Sequence, residues 1–214
     1  INQLEPGTAI VVKNSIIQSK HRWYNVGHNN KIDLPKNIHD RNMYINDTLT
    51  QVCEEHLNSD TDIGVNLSGG LDSSTMLASM EKNKKYLSNS CFSVDFGNSL
   101  SEKKWIQSTA KYFNKKSIIS SYTIKNFLDD FDRMIFTHEG PLGGLMNCAF
   151  ENLYREANKG KIRVLLDGTG LDEAFGGYRI HHLIYLNRVY HNDRDNFDMH
   201  MKYYSDKWNI GPNQ

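Results

Sequence analysis

Along the chain, short apolar runs rich in β-branched residues alternate with longer stretches whose apolar positions recur at helical spacing. Residues 9–12, Ala-Ile-Val-Val, read as a strand after the turn signal Pro6-Gly7, and the aromatic pair Trp23-Tyr24 follows. An Asn-rich stretch containing Pro35 then reads as a linker. From about Asp40 the spacing of Ile45, Leu49, Val52 and Leu57 predicts a helix with those residues on its buried face. Beyond it, strands are expected over residues 63–67, 90–96, 116–121 and 162–166. The intervening helices are expected over 72–80, over 102–113 with Trp105, Ile106 and Ala110 inward, around Phe127–Leu128 through Met134–Ile135, and over 145–157.

Strands separated by helices of ten or more residues predict βαβ units, a parallel sheet and a three-layer αβα domain. The predicted organisation is a strand and linker over residues 1–39 and one α/β domain over 40–214. In such sheets ligands bind beyond the carboxyl ends of the strands, which directs attention to the loops after Leu67, Val94 and Leu166.

Composition narrows the partners. The 214 residues carry 25 Lys+Arg against 25 Asp+Glu, a formal charge of zero. That balance excludes a protein that holds nucleic acid or a membrane surface through its overall field, so any anion must be held locally. No apolar run is long enough to span a bilayer and no signal segment opens the chain. Cys53, Cys91 and Cys148 are odd in number, widely spaced and set among apolar neighbours, so they read as buried reduced thiols and point to the cytoplasm. His181, His182, His191 and His200 lack the i, i+4 pairing of a helical metal site.

Two loops carry the chemistry. After the 63–67 strand comes Ser68-Gly69-Gly70-Leu71-Asp72-Ser73-Ser74, leading into a helix. Paired glycines let the backbone turn and approach a ligand, successive N–H groups form an anion nest, and the helix adds its positive end. Ser68, Ser73 and Ser74 supply hydroxyls. Asp72 would repel a bare phosphate, which implies a bridging Mg²⁺. No Gly-Lys-Ser/Thr follows, so this is not a Walker A loop. The second loop, after the 162–166 strand, runs Asp167-Gly168-Thr169-Gly170-Leu171-Asp172-Glu173-Ala174-Phe175-Gly176-Gly177-Tyr178. Its Gly168-x-Gly170 invites a dinucleotide reading, but Glu173 stands where the third glycine would be.

The first loop resembles the PP-loop of ATP pyrophosphatases in the form typical of asparagine synthetases, and the second resembles that family's Gly-Glu-Gly-x-Asp-Glu-x-Phe-Gly-Gly-Tyr segment. The resemblance implies a fold of the adenine nucleotide alpha hydrolase type. It also implies ATP held by Leu67, Ser68, Gly69, Gly70, Asp72, Ser73, Ser74, Val94 and Gly168, and Mg²⁺ held by Asp72 and Asp172. By the same resemblance Asp72, Asp172 and Thr169 form the candidate catalytic set, Thr169 standing where the family has a glutamate. The serine before the first glycine is Asp167 here. Pro6-Gly7 and Trp23 resemble the junction after the family's glutaminase domain.

The implied activity is ATP-dependent adenylation of a carboxylate, by default the β-carboxylate of aspartate, followed by attack of ammonia. Alternatives are amidation of a different acid, such as a sugar uronate or a peptide carboxylate, and a non-catalytic ATP-binding domain. The nucleophilic cysteine of the glutaminase domain has no counterpart, so ammonia is expected from a domain or partner outside this chain. The family's substrate-side lysine also has none, and the domain is expected to be truncated at its C-terminal end. Lys202 and Lys207 read as a solvated helical face.

Overall fold

A computed structural model describes residues 3–25, 33–83, 86–141, 143–144 and 146–210. The chain divides into two compact units, residues 1–47 and 48–214, with the boundary inside helix α1 (Ile38–His56).

In the first unit, β1 (Thr8–Lys13) and β2 (Ile16–Arg22) form an antiparallel hairpin with a register irregularity at Val11/Val12. Asn14 and Ser15 join them with φ of 51° and 62°. A two-residue loop with both residues left-handed matches the natural twist of paired strands. β2 escapes the hydrophobic pattern because all seven of its residues are exposed, which leaves no alternation to detect. Glu5 ties the hairpin down by accepting from Lys20 at 2.8 Å and Arg22 at 2.7 Å.

The second unit holds a four-stranded, wholly parallel sheet in the order β5-β4-β3-β6. Its strands are β3 (Ile63–Asn66), β4 (Leu87–Asp95), β5 (Lys116–Ser121) and β6 (Val164–Leu166). The helices are α2 (Leu71–Met80), α3 (Lys103–Tyr112), α4 (Ile124–His138), α5 (Met146–Lys159), α6 (Leu171–Phe175), α7 (Arg179–Asn192) and α8 (Phe197–Trp208). The expected αβα layering is present, with most element ends within about two residues of the predicted ones.

The two-residue pleat sorts side chains between the layers. Cys91 faces a core built from Cys53 and Leu57, Ile63 and Val65, the inner face of α2, and Ile106 and Ala110 of α3. Its neighbour Phe92 faces the opposite core, with Leu153, Ala157 and Ile162. Tyr122, Met134, Cys148 and Ala149 extend that second layer. At Gly64 a Cβ would come within 2.7 Å of Leu165 Cδ2, 2.9 Å of Ile162 and 3.0 Å of Phe92, so the central strand is as thin as its neighbours demand.

All three cysteines are free and buried. Two predicted inward positions are corrected. Val52 is 42% exposed because Leu49, Cys53 and Leu57 form the packed stripe of α1, and Trp105 is 59% exposed because the buried face of α3 runs through Ile106 and Ala110. Among the described residues, no helix is long and apolar enough to cross a membrane.

Candidate functional site

The chain runs outward from β3 through β4 to β5, then returns to the other side of β3 as β6. The connections leaving β3 and β6 therefore diverge, and this topological switch point is where an open α/β sheet forms its ligand crevice. The two candidate loops are these connections.

The first loop is braced before any ligand arrives. Ser93 Oγ, buried in β4, donates to the Leu67 carbonyl at 2.6 Å, and Leu67 N donates to Phe92 O at 2.9 Å. Ser68 N donates to Ser73 Oγ at 3.2 Å, the two hydroxyls lie 3.0 Å apart, and Gly70 N donates to Ser68 Oγ at 3.2 Å. Gly69 sits at φ +81°, where a Cβ would also fall 2.7 Å from Ile106 N on α3. Glycine is thus required there for both conformation and space. Ser74 turns to Thr109 on α3, at 3.4 Å between hydroxyls.

The second loop presses against the first. A Cβ on Gly168 would lie 2.9 Å from Ser73 N and 3.0 Å from Asp72 C, so the loops meet backbone to backbone at the start of α2. Asp167 Oδ1 accepts from Thr169 N at 2.9 Å. After α6 the Gly176 and Gly177 amides both donate to Asp172 O at 2.9 Å, and a Cβ on Gly177 would overlap the Asp172 carboxylate. The Gly-Gly pair therefore shapes the seat of that aspartate.

Asp72 and Asp172, one hundred positions apart in sequence, become electrostatic neighbours. Partial desolvation, then the negative charges of Asp172 and Glu173, raise the Asp72 pKa above its ordinary value. Glu173 moves the other way, lowered by its own backbone amide and by the Tyr178 hydroxyl, which donates to it at 3.0 Å.

These residues open on a cavity of about 320 Å³. Leu67, Ser68, Asp72 and Ser73 reach it from the first loop, Gly168, Thr169 and Asp172 from the second, and Val94 from β4. Gly69, Gly70 and Ser74 lie outside its lining and act on the loop's conformation and packing. Residue spacing did not single out Phe96 of the loop after β4, or Met146 and Phe150 of α5, which complete an apolar wall. Glu173 and Tyr178 also line the cavity, and both stood inside the glycine-rich motif. No local signal marks Met146 or Phe150, because their approach depends on how α5 crosses the sheet.

Among the described residues no group of three or more His, Cys, Asp or Glu side chains forms a metal cage. The two facing carboxylates still suit Mg²⁺, which takes hard oxygen ligands and ordinarily keeps water and phosphate oxygens in its shell.

A glycine-turned anion nest at a strand-to-helix switch point, faced by paired carboxylates and an apolar wall, defines a nucleotide-site domain of the parallel α/β class. Comparison with known proteins narrows the class. The asparagine synthase family model matches residues 44–210, and the chain belongs to that family. It is 29% identical over 154 residues to a protein of Methanocaldococcus jannaschii assigned as asparagine synthetase [glutamine-hydrolyzing] 2, covering 70% of this chain and 30% of that one. It is 28% identical over 138 residues to asparagine synthetase [glutamine-hydrolyzing] 1 of Bacillus subtilis, covering 64% of this chain and 21% of that one. The chain thus spans less than a third of the length of these curated relatives. Among solved structures, an NH3-dependent NAD synthetase from Campylobacter jejuni aligns over 64% of this chain and 60% of its own, with 17% identity and a TM-score of 0.42. At that level the likeness says nothing about function.

Proposed function

We propose that this chain is the ATP-binding part of an amide-forming ligase, in which a carboxylate is adenylated by ATP and then attacked by ammonia. The observation that carries this reading is the meeting of Asp72 and Asp172 at the mouth of the braced first loop. The neighbouring Asp172 disfavours the charge on Asp72, and a divalent cation with phosphate oxygens removes the conflict.

In this reading the backbone amides of the first loop and the start of α2 hold phosphate oxygens. Ser68 and Ser73 keep the loop in one conformation, and Val94, Phe96 and Phe150 provide an apolar slot for the base. Bound Mg²⁺, held by Asp72 and Asp172, would neutralise charge on the departing pyrophosphate. The acid's oxygen forms a bond to the α-phosphorus as the bond to pyrophosphate breaks, and the amine then displaces AMP. Thr169 lines the cavity with its amide donating to Asp167, and in this reading it would meet the acid or the amine. Ammonia would come from a glutaminase domain or partner, residues 1–39 would form the junction to it, and the setting would be the cytoplasm.

Aspartate is the family's acid. A sugar uronate or a peptide carboxylate is the alternative acid.

The test is carboxylate-dependent exchange of pyrophosphate into ATP by the full-length protein. Exchange with one acid of a panel containing aspartate, uronates and acidic peptides is the expected result. Binding of Mg·ATP by calorimetry with no exchange for any acid would instead establish a non-catalytic nucleotide-binding domain.

A further inference from the structure

A second cavity, of about 390 Å³, lies between the end of α6 and helices α7 and α8. Every side chain lining it is a phenyl, a phenol or an imidazole, with Phe175, His181, His182, Tyr185, His200 and Tyr204 among them. Among the described residues, no aliphatic side chain and no carboxylate contributes. Flat, weakly polar walls of this kind receive a ring by stacking, and their polar tips are left to read its substituents.

The hydrogen bonds these side chains already make determine what those tips offer. Trp208 Nε1 donates to His182 Nδ1 at 3.2 Å. An indole nitrogen only donates, so the neutral His182 ring carries its proton on Nε2 and presents a donor there. Arg179 Nε donates to the Tyr204 hydroxyl oxygen at 2.8 Å, leaving the phenol proton to be given away and a guanidinium close behind it. His181 Nδ1 is shielded from solvent and has no hydrogen-bond partner among the described residues. The lining is therefore rich in donors and free of carboxylates.

This cavity adjoins the nucleotide cavity. Glu173 and Tyr178 line the first, and Phe175, Gly176 and His181 line the second. The Tyr178 and His181 rings, 5.3 Å apart, form a shared wall.

We propose that the second cavity binds a monocyclic carboxylate, its ring between the aromatic walls and its anionic group on the donors of His182 and Tyr204. The site goes beyond the ligase reading, and its test needs no ATP, so the two can fail separately.

The experiment is titration of the full chain with two acids, D-glucuronate and benzoate, and with their neutral counterparts, D-glucose and benzamide, followed by calorimetry or ligand-observed NMR. At least one acid is expected to bind about fivefold or more tightly than its neutral counterpart, and the preferred acid tells a sugar ring from an arene. His182→Phe and Tyr204→Phe should each weaken that acid by a similar factor while leaving Mg·ATP affinity within about twofold. If Tyr204→Phe loses its far-UV signal, His182→Phe alone decides the point. Equal binding of acid and neutral counterpart, an affinity unmoved by the substitutions, or no binding of either acid would each overturn the proposal.

Discussion

Asp72 holds its proton to higher pH than an ordinary aspartate because burial and the neighbouring Asp172 carboxylate both disfavour its charge. In the unfolded chain neither influence operates. Ionisation is therefore harder in the native state, and the native protein loses stability as pH rises through the raised value. Asp72→Asn removes the penalty. Without Mg²⁺ the variant should melt at a higher temperature than the parent at pH 7, and the difference should vanish at acid pH, where Asp72 is protonated in both states. Its affinity for Mg·ATP should fall about tenfold or more, the loss of one charged ligand group. Thermal melts across pH and calorimetry check the two halves, and a variant unaltered in both would remove Asp72 from the site. That opposition between stability and binding is what a functional carboxylate pair leads one to expect.

Two features of the elements fix the sheet that carries the loops. Gly64 lies in β3 with Leu165, Ile162 and Phe92 all closer than a Cβ permits, so Gly64→Ala must push β6, the turn before it or the Phe92 ring of β4 aside. A cost of about 1–3 kcal/mol is expected, read as a lower urea midpoint with unchanged slope. Lys115, just before β5, pairs with Glu81 after α2 at 2.7 Å and donates to Ser88 O of β4 at 2.9 Å, with its side chain only 5% exposed. Lys115→Met removes the cation that faces the largely buried Glu81 carboxylate and should destabilise by about 3 kcal/mol, whereas adding Glu81→Leu should recover much of that loss. Denaturant curves of the single and double variants decide it. Element types were legible in the hydrophobic period, since β3–β6 and α2–α5 all fall where apolar residues recur at the right spacing. β2 was not, because an exposed hairpin strand has nothing to alternate.

At the scale of the molecule, residues 1–47 and 48–214 are separate compact units, and the loops, the paired aspartates and the cavity all belong to the second. A chain covering residues 34–214, which keeps α1 whole, should retain a cooperative melt and the Mg·ATP affinity of the 214-residue chain. Calorimetry of the shortened chain checks this, and loss of binding would make the hairpin unit part of the nucleotide site. The chain's zero formal charge suits the proposed arrangement, because backbone amides at a helix start can attract phosphate over a few ångströms without a basic surface.

The sequence by itself determined the parallel α/β class, the two loops and most of the residues that meet at the cavity. Strand and helix periods are local, and a glycine-rich turn between them constrains its own backbone wherever the domain folds. Only the tertiary structure decided which of those residues face a ligand. It placed Gly69, Gly70 and Ser74 behind the loop and set Asp72 against Asp172 across one hundred positions. It also brought Phe96, Met146 and Phe150 in as a wall and opened the imidazole and phenol cavity beyond α6. Those outcomes depend on strand order and on which helix faces meet, and neither is written into any short stretch of the chain.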